Sequence, residues 1–112
     1  MEVSVKTEGD ICVVSVLDSR IDAAVALEFK ETMRRTAQDS PPCIVLDLGQ
    51  VNFIDSSGLG AIVATMKHLA PKQSLILAGM TPTVDKVFKL TRMDSVFVIF
   101  PTLDAALGMQ RA

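Results

Sequence analysis

Short apolar runs alternate along this chain with segments in which apolar residues recur at every third or fourth position. The runs cover residues 11–17, 43–48, 74–78 and 96–100, and their length and branched side chains are typical of buried strands. The segments between and after them have helical spacing. Strands that alternate with helices need crossover connections, which place the strands parallel and pack the helices on the sheet.

An additional antiparallel strand is predicted at the start of the chain. Val3 and Val5 alternate with polar residues, and Glu8-Gly9-Asp10 is a turn signal, so the first strand forms a hairpin with residues 11–17. The element order is then β-β-α-β-α-β-α-β-α. We expect an α/β fold in a single domain over residues 1–112, with a mixed, mostly parallel sheet of about five strands and about four helices packed on it.

The helix ends are predicted from capping residues and prolines. Asp22 is an N-cap candidate for a first helix over residues 23–38, and Pro41-Pro42 follows its end. Thr81-Pro82 opens the third helix and Pro101-Thr102 the fourth. The predicted apolar stripes are Ala26, Phe29, Met33 and Ala37 on the first helix, Leu59, Ile62, Val63, Met66 and Ala70 on the second, Val84, Val87, Phe88 and Thr91 on the third, and Leu103, Ala106 and Leu107 on the fourth.

Charge and composition exclude several classes of partner. The formal net charge is −2, and no basic block is present, so we expect neither nucleic acid nor an anionic membrane as a partner. Cys12 and Cys43 lie in apolar runs, which indicates buried thiols in a reducing compartment. Because the N-terminus has no signal-peptide pattern and no apolar run approaches the ~18 residues of a membrane span, we predict a cytoplasmic protein.

The residues needed for catalysis or metal binding do not occur as a set. His68, the only histidine, falls on the polar side of the second helix, and one histidine with two strand cysteines cannot build a usual zinc site. There is no Walker A motif and no Gly-x-Ser-x-Gly elbow. We therefore expect a protein that is not an enzyme and that holds no metal or cofactor.

Two patterns resemble functional sites only in part. Residues 58–63 contain two glycines of a dinucleotide fingerprint, but Val63 replaces the third. Asp47 could be the phospho-acceptor of a receiver domain, but no acidic pair follows the first strands and no lysine follows the last strand. Both interpretations are rejected.

The segment from Asp55 to Gly60 lies where a loop over residues 49–54 enters the second helix. Asp55, Ser56 and Ser57 are all good N-caps, which is more than one helix needs, and we expect Asp55 and Ser57 to cap and shape the turn. Gly58 and Gly60 each cost a helix about 1 kcal/mol against alanine. We interpret these glycines as bare backbone that lets another protein's active site approach Ser56 or Ser57.

A serine at a helix N-terminus suits phosphorylation. The free N–H groups and the positive end of the helix dipole stabilise a phosphate by about 0.3–1 kcal/mol at an exposed site. A phosphate beside Asp55 takes the formal charge from −2 to roughly −4. An interface built over a neutral serine would lose affinity by about a hundredfold. Capping and charge apply equally to Ser56 and Ser57 and do not choose between them.

Two stretches of the chain resemble a known family. The core of the STAS domain, specifically of the anti-sigma-factor antagonists, is similar to two stretches here: Val45-Leu46-Asp47-Leu48 and Val51-Asn52-Phe53-Ile54-Asp55-Ser56-Ser57-Gly58-Leu59-Gly60. The family's Gly-x-Leu-Asp turn is matched in part by Arg20-Ile21-Asp22. The resemblance covers residues 3–107. It implies a partner-switching module with a STAS fold.

The resemblance also implies specific partners. The unphosphorylated form would bind a serine kinase that acts as an anti-sigma factor, so that the sigma factor is released. The kinase would phosphorylate the serine after the aspartate, which is Ser56, and a metal-dependent phosphatase would restore it. The loop before the first helix and the phosphosite helix would form the docking surface, for which the residues predicted to bind the partner are Asp22, Ala23, Leu27, Asp55, Ser56, Ser57, Gly58, Leu59 and Gly60.

Some positions depart from the family pattern. Ser19 replaces the glycine of the Gly-x-Leu-Asp turn, and Met93-Asp94 stands where a glycine usually closes the third helix, at a left-handed position that Asp tolerates. Ala23, Ala24 and Leu27 make the start of the first helix unusually apolar. We expect Leu27 to be exposed and to contact the partner; the alternative is that it packs under a loop.

Other outputs are compatible with the same sequence. The chain could be a STAS module that controls secretion, motility or a signalling enzyme, or a structural STAS subunit of a lipid-transport ABC complex. Nucleotide binding at the helix N-terminus is a further alternative, although no lysine or arginine lies near it in sequence. We expect a monomer or a weak dimer.

Overall fold

The computed structural model describes residues 1–111, and the side chains of residues 1–108. The described chain forms seven strands, four α-helices and one 3-10 turn. In chain order these are β1 (Val3–Glu8), β2 (Ile11–Val16), β3 (Arg20–Ile21), α1 (Ala26–Gln38), β4 (Cys43–Asp47), β5 (Phe53–Ile54), α2 (Ser56–Leu69), β6 (Ser74–Ala78), α3 (Pro82–Leu90), the 3-10 turn (Met93–Ser95), β7 (Val98–Phe100) and α4 (Leu103–Arg111).

Five of the strands form one mixed sheet in the order β1-β2-β4-β6-β7. β1 runs antiparallel to β2, while β2, β4, β6 and β7 are parallel to one another. The hairpin is closed by Gly9 at a φ of 57°, a left-handed conformation that favours glycine. The predicted α/β fold, with a mostly parallel five-stranded sheet and four helices, is confirmed.

The sheet has a hydrophobic layer on each face. Ile44 and Leu46 of β4 pack beneath α1, α2 and α3, whereas Val45 points to the face that α4 covers. Phe29 of α1 and Phe88 of α3 are completely buried in the larger layer, where each contributes about 1.5–3 kcal/mol to stability. None of the described helices is long and apolar enough to cross a lipid bilayer.

The helical stripes are confirmed apart from the last members of those on α2 and α3. Ala70 and Thr91 are exposed and lie just beyond the ends of α2 and α3. Pro71 forces the residue before it into an extended conformation, and Ala70 accordingly has a ψ of 148°. Leu69, the last residue of α2, is buried in the place predicted for Ala70.

The first helix begins later than predicted. α1 starts at Ala26 with Val25 as its N-cap, so the predicted start at residue 23 with Asp22 as the N-cap is wrong. The Val25 N–H donates to the Asp22 carbonyl at 3.1 Å, and the Ala24 N–H donates to Asp22 Oδ1, also at 3.1 Å. These bonds close a turn, and Asp22 therefore caps this turn and not the helix.

Three other local predictions are corrected. β7 begins at Val98 and not at residue 96, because a 3-10 turn over Met93–Ser95 precedes it. The left-handed residue after α3 is Arg92, with a φ of 61°, and not Met93 or Asp94. Residues 49–54 are not entirely a loop, since β5 (Phe53–Ile54) pairs in parallel with β3.

The left-handed backbone at Arg92 leads to a stability prediction. A side chain in this conformation costs about 1–2 kcal/mol, so Arg92→Gly should raise the free energy of unfolding by about 1 kcal/mol, as measured by urea denaturation. Arg92→Ala keeps the Cβ atom and is the matched control, which should show no such gain. Equal stability of Arg92→Gly and Arg92→Ala would contradict the assignment of strain.

Candidate functional site

The small β3–β5 ladder brings together the two segments predicted to bind a partner. Arg20 pairs with Phe53 and Ile21 pairs with Ile54, in parallel. The chain therefore leaves both strands in the same direction, toward the turn before α1 on one side and toward the start of α2 on the other. Residues far apart in sequence thus meet at one end of the molecule.

Asp55 links these two segments through its carboxylate. Oδ1 accepts from the Gly58 N–H at 2.8 Å and so caps α2, as predicted. Oδ2 accepts from the Ala23 N–H of the turn before α1 at 3.1 Å. One side chain therefore accepts hydrogen bonds from the backbone of both helix-entry segments. An ordinary N-cap accepts only from the first turn of its own helix.

These hydrogen bonds lower the pKa of Asp55. The largest cause is the bond from the Gly58 N–H, and the bond from the Ala23 N–H acts in the same direction, while partial burial opposes them. Hydrogen bonds to a carboxylate favour its charged form. Asp55 is consequently a fixed negative charge next to Ser56 at neutral pH.

Asp22 organises the turn on the other side of the site. Its Oδ1 closes the turn, and its Oδ2 accepts from Arg20 Nε at 3.0 Å. The Arg20 guanidinium in turn lies over the Phe53 ring, with Cζ 4.4 Å from the ring centroid. Such a cation–π contact is worth about 0.5–1 kcal/mol at an exposed site.

Arg20 and Phe53 are site residues that the sequence interpretation missed. The Arg20 side chain is 59% exposed and Phe53 is 40% exposed, and arginine and aromatic residues are frequent in protein interfaces. No pattern in the sequence pairs them, because their contact depends on the register of the β3–β5 ladder.

Gly58 has an internal role that differs from the predicted one. A Cβ atom at this position would lie 1.9 Å from the Ile21 carbonyl oxygen and 2.7 Å from the Ile21 carbonyl carbon. The bare backbone therefore lets α2 pack against β3, and it is not left open for another protein. A Cβ on Gly60, by contrast, would meet nothing within 4 Å, so an approach from outside remains an interpretation for Gly60 alone.

The two serines are both exposed in the first turn of α2. Within the part of the chain that the structure describes, neither hydroxyl makes a hydrogen bond. Ser57 therefore does not cap the helix with its side chain, which corrects the role expected for it. Both serines are exposed, so burial does not choose between Ser56 and Ser57.

The exposed residues around the serines are small. We call Ala23, Ala24, Ser56, Ser57 and Gly60 the helix-start surface, and all five are exposed. Gly58 and Leu59 of the predicted set are buried beneath it. The helix-start surface therefore presents short side chains above a backbone that Asp55 holds in place.

A depression and, besides Phe53, a second exposed large apolar side chain lie near this surface. A depression of about 350 Å³ borders the turn at Arg20 and Asp22, whereas one of about 730 Å³ lies at the other end of α2 near His68 and Pro71. Leu27, in the first turn of α1, is 70% exposed. It does not pack under a loop, and its predicted exposure is confirmed.

Comparisons with known proteins agree on one family. Residues 2–106 match the STAS domain. A Listeria monocytogenes protein named anti-sigma-B factor antagonist is 31% identical over 80 residues, covering 70% of each chain. The anti-sigma-F factor antagonist RsfB of Mycobacterium tuberculosis is 27% identical over 105 residues, covering 94% of this chain and 85% of that protein.

A solved structure supports the same relationship. The crystal structure of an anti-sigma factor antagonist from Mycobacterium paratuberculosis superposes with a TM-score of 0.87 at 32% identity. The match covers 99% of this chain and 94% of that chain.

The two glycines of α2 predict opposite effects on stability. Gly58→Ala should lower the free energy of unfolding by about 3 kcal/mol or more, because its methyl group overlaps the Ile21 backbone. Gly60→Ala should raise it by up to about 1 kcal/mol, because alanine is the better helix former and the space is open. Urea denaturation followed by circular dichroism measures both. Similar effects of the two substitutions would contradict the packing described for Gly58.

The lowered pKa of Asp55 predicts a pH dependence of stability. Its charged form stabilises the fold fully above the unfolded pKa of about 4, and this contribution is lost as the pH falls through the lower folded pKa. The difference in unfolding free energy between the wild type and Asp55→Asn should therefore be constant near neutral pH and shrink below about pH 4. Urea denaturation across this range tests it, and a difference that persists unchanged in acid would contradict it.

Proposed function

Because the chain belongs to the STAS domain family, we propose that it is an anti-sigma-factor antagonist in a partner-switching pathway. In this proposal the unphosphorylated protein binds a serine kinase that is also an anti-sigma factor, and the sigma factor is released. Phosphorylation of Ser56 ends the capture, and a serine phosphatase restores the serine. The protein acts in the cytoplasm and works by binding, without catalysis of its own.

The observation that supports this proposal most is the position of Ser56. Its hydroxyl is exposed in the first turn of α2, directly after the Asp55 cap that joins the two segments of the site. The neighbouring side chains of the helix-start surface are short, so a kinase active site can reach the hydroxyl without displacing large groups. A substrate serine needs this kind of access.

The position also explains how phosphorylation would switch binding without refolding. A phosphate on Ser56 lies at the N-terminus of α2, where backbone N–H groups and the helix dipole stabilise it. The same phosphate adds about two negative charges next to the Asp55 carboxylate, whose own charge is fixed. A partner surface complementary to a neutral serine would therefore be repelled, while the fold remains intact.

We also propose which residues form the docking surface. Asp22 and Ala23 from the turn before α1, together with Ser56, Ser57 and Gly60 of α2, would contact the kinase directly, with Asp55, Gly58 and Leu59 holding them in place. Leu27 of α1 and the Arg20–Phe53 pair are further contacts in this proposal. Aromatic residues and arginine often contribute most of the binding energy in such interfaces.

Phosphorylation of Ser56 can be tested directly. The protein is incubated with ATP and the purified serine kinase encoded nearest to its gene, and the phosphate is located by mass spectrometry. We expect one phosphate on Ser56, which Ser56→Ala abolishes and the matched control Ser57→Ala retains. Ser56→Asp should bind the kinase more weakly than the wild type, because it places a negative charge beside Asp55.

Two results would count against this function. A phosphate found only on Ser57 would move the switch to the other serine. No modification at all would favour the structural-subunit alternative, which does not depend on serine phosphorylation.

A further inference from the structure

A groove runs between α1 and α2 on the outer surface of the molecule. It has a volume of about 330 Å³, and Leu27 lies on its α1 side and Ala64 on its α2 side. Thr65, which is buried, forms part of its floor and uses its hydroxyl within α2 to donate to the Ala61 carbonyl at 2.8 Å. The groove thus has apolar side chains from both helices, Leu27, Ala64 and Leu69, beside charged and polar ones.

The apolar side chain at the edge of the groove, Leu27, is not buried in the hydrophobic core. Leu27 is 70% exposed, although every other long side chain on the outer face of α1 is charged or polar. An exposed leucine between two helices is the arrangement that receives a segment of another protein in helix-in-groove recognition.

The charge of the groove differs from that of the rest of the chain. Lys30 and Arg34 line it with one acid, Glu31, which is already paired with Arg34 at 3.0 Å. His68 adds an imidazole from α2. The groove therefore has an excess of positive charge in a chain whose formal net charge is −2, and this favours an acidic occupant.

The groove lies along the same two helices whose starts form the site around Ser56. Both helices start at the same end of the molecule, since the Ala23 N–H bonds to the Asp55 carboxylate. At about 1.5 Å rise per residue, Ala64 lies roughly 12 Å and His68 roughly 18 Å along α2 from Ser56. A partner whose active site covers Ser56 can reach the groove with a separate part of its surface.

We propose that the groove between α1 and α2 is a second docking surface for the kinase partner, and that it receives an acidic segment of that partner with an aliphatic side chain against Leu27. The proposal rests on the proposed function, because the kinase is the same partner. It extends the contact proposed for Leu27 along a groove that does not include the phosphorylated serine, and it names the chemistry that the groove recognises.

Paired charge and leucine substitutions test the groove. Leu27→Glu and Arg34→Glu place negative charge in it. Leu90→Glu and Arg35→Glu are matched controls, because Leu90 on α3 is 74% exposed and Arg35 is exposed on α1 outside the groove. Binding to the purified kinase encoded nearest to the gene is measured by calorimetry, after circular dichroism has shown that each variant is folded.

We expect both groove variants to bind the kinase at least about tenfold more weakly than the wild type, and both controls to remain within about twofold. The loss in Arg34→Glu should shrink at about 0.5 M salt, which screens exposed charges. Ser56 should still be phosphorylated in Arg34→Glu and in both controls at saturating kinase, because the lining of the groove does not include the serine.

The outcomes separate the two proposals. If the wild type is phosphorylated on Ser56 but the groove variants bind as tightly as their controls, the groove proposal is wrong and the proposed function stands. If Leu27→Glu weakens binding and Arg34→Glu does not, the proposal that the bound segment is acidic is wrong. If the wild type neither binds the kinase nor is phosphorylated, both proposals are overturned.

Discussion

The organisation of this protein's site depends on one carboxylate that accepts two backbone hydrogen bonds. Asp55 caps its own helix through Gly58 and holds the turn before α1 through Ala23. The β3–β5 ladder sets the direction of both segments, but only two residue pairs hold it together. Asp55 supplies the further connection that keeps the exposed serines at a fixed distance from the turn.

Close packing of backbone on backbone adds a second constraint. The missing side chain at Gly58 lets the first turn of α2 lie against the Ile21 carbonyl. With Asp55 one turn earlier and Ile21 beneath, the start of α2 is held on two sides, and its remaining side faces solvent with Ser56 and Ser57. A chemically modifiable hydroxyl therefore lies on a helix turn that is held on two sides, and a change of charge there alters the surface and not the fold.

Much of this architecture could be predicted from the sequence, because periodicity reports burial. The stripe of Phe29, Met33 and Ala37 and the run at residues 43–48 each identified an element and its buried face. Hydrophobic periodicity and capping residues gave wrong predictions where the conformation depends on residues distant in the chain. The two-residue strands β3 and β5 are too short for a period, and the start of α1 was misplaced because Asp22 uses its hydrogen bonds to close a turn.

In the candidate site, too, features set by local sequence could be predicted and features set by distant residues could not. The Asp55 cap follows from local sequence and was predicted. The role of Gly58 was not, because its reason is the Ile21 carbonyl on a strand far away in sequence, and neither was the stacking of Arg20 on Phe53. The left-handed residue after α3 was placed at Met93-Asp94 and lies at Arg92, a position that no side-chain preference indicates.

The shortness of the β3–β5 ladder has a dynamic consequence. Among the described residues this ladder forms a two-stranded sheet of its own, while β4 lies in the middle of the five-stranded sheet. Segments with few hydrogen bonds and high exposure open locally at a lower free-energy cost than the core. The β3–β5 backbone should therefore open locally more often than β4. A bound partner that spans both segments would suppress this opening at an entropic cost to its affinity.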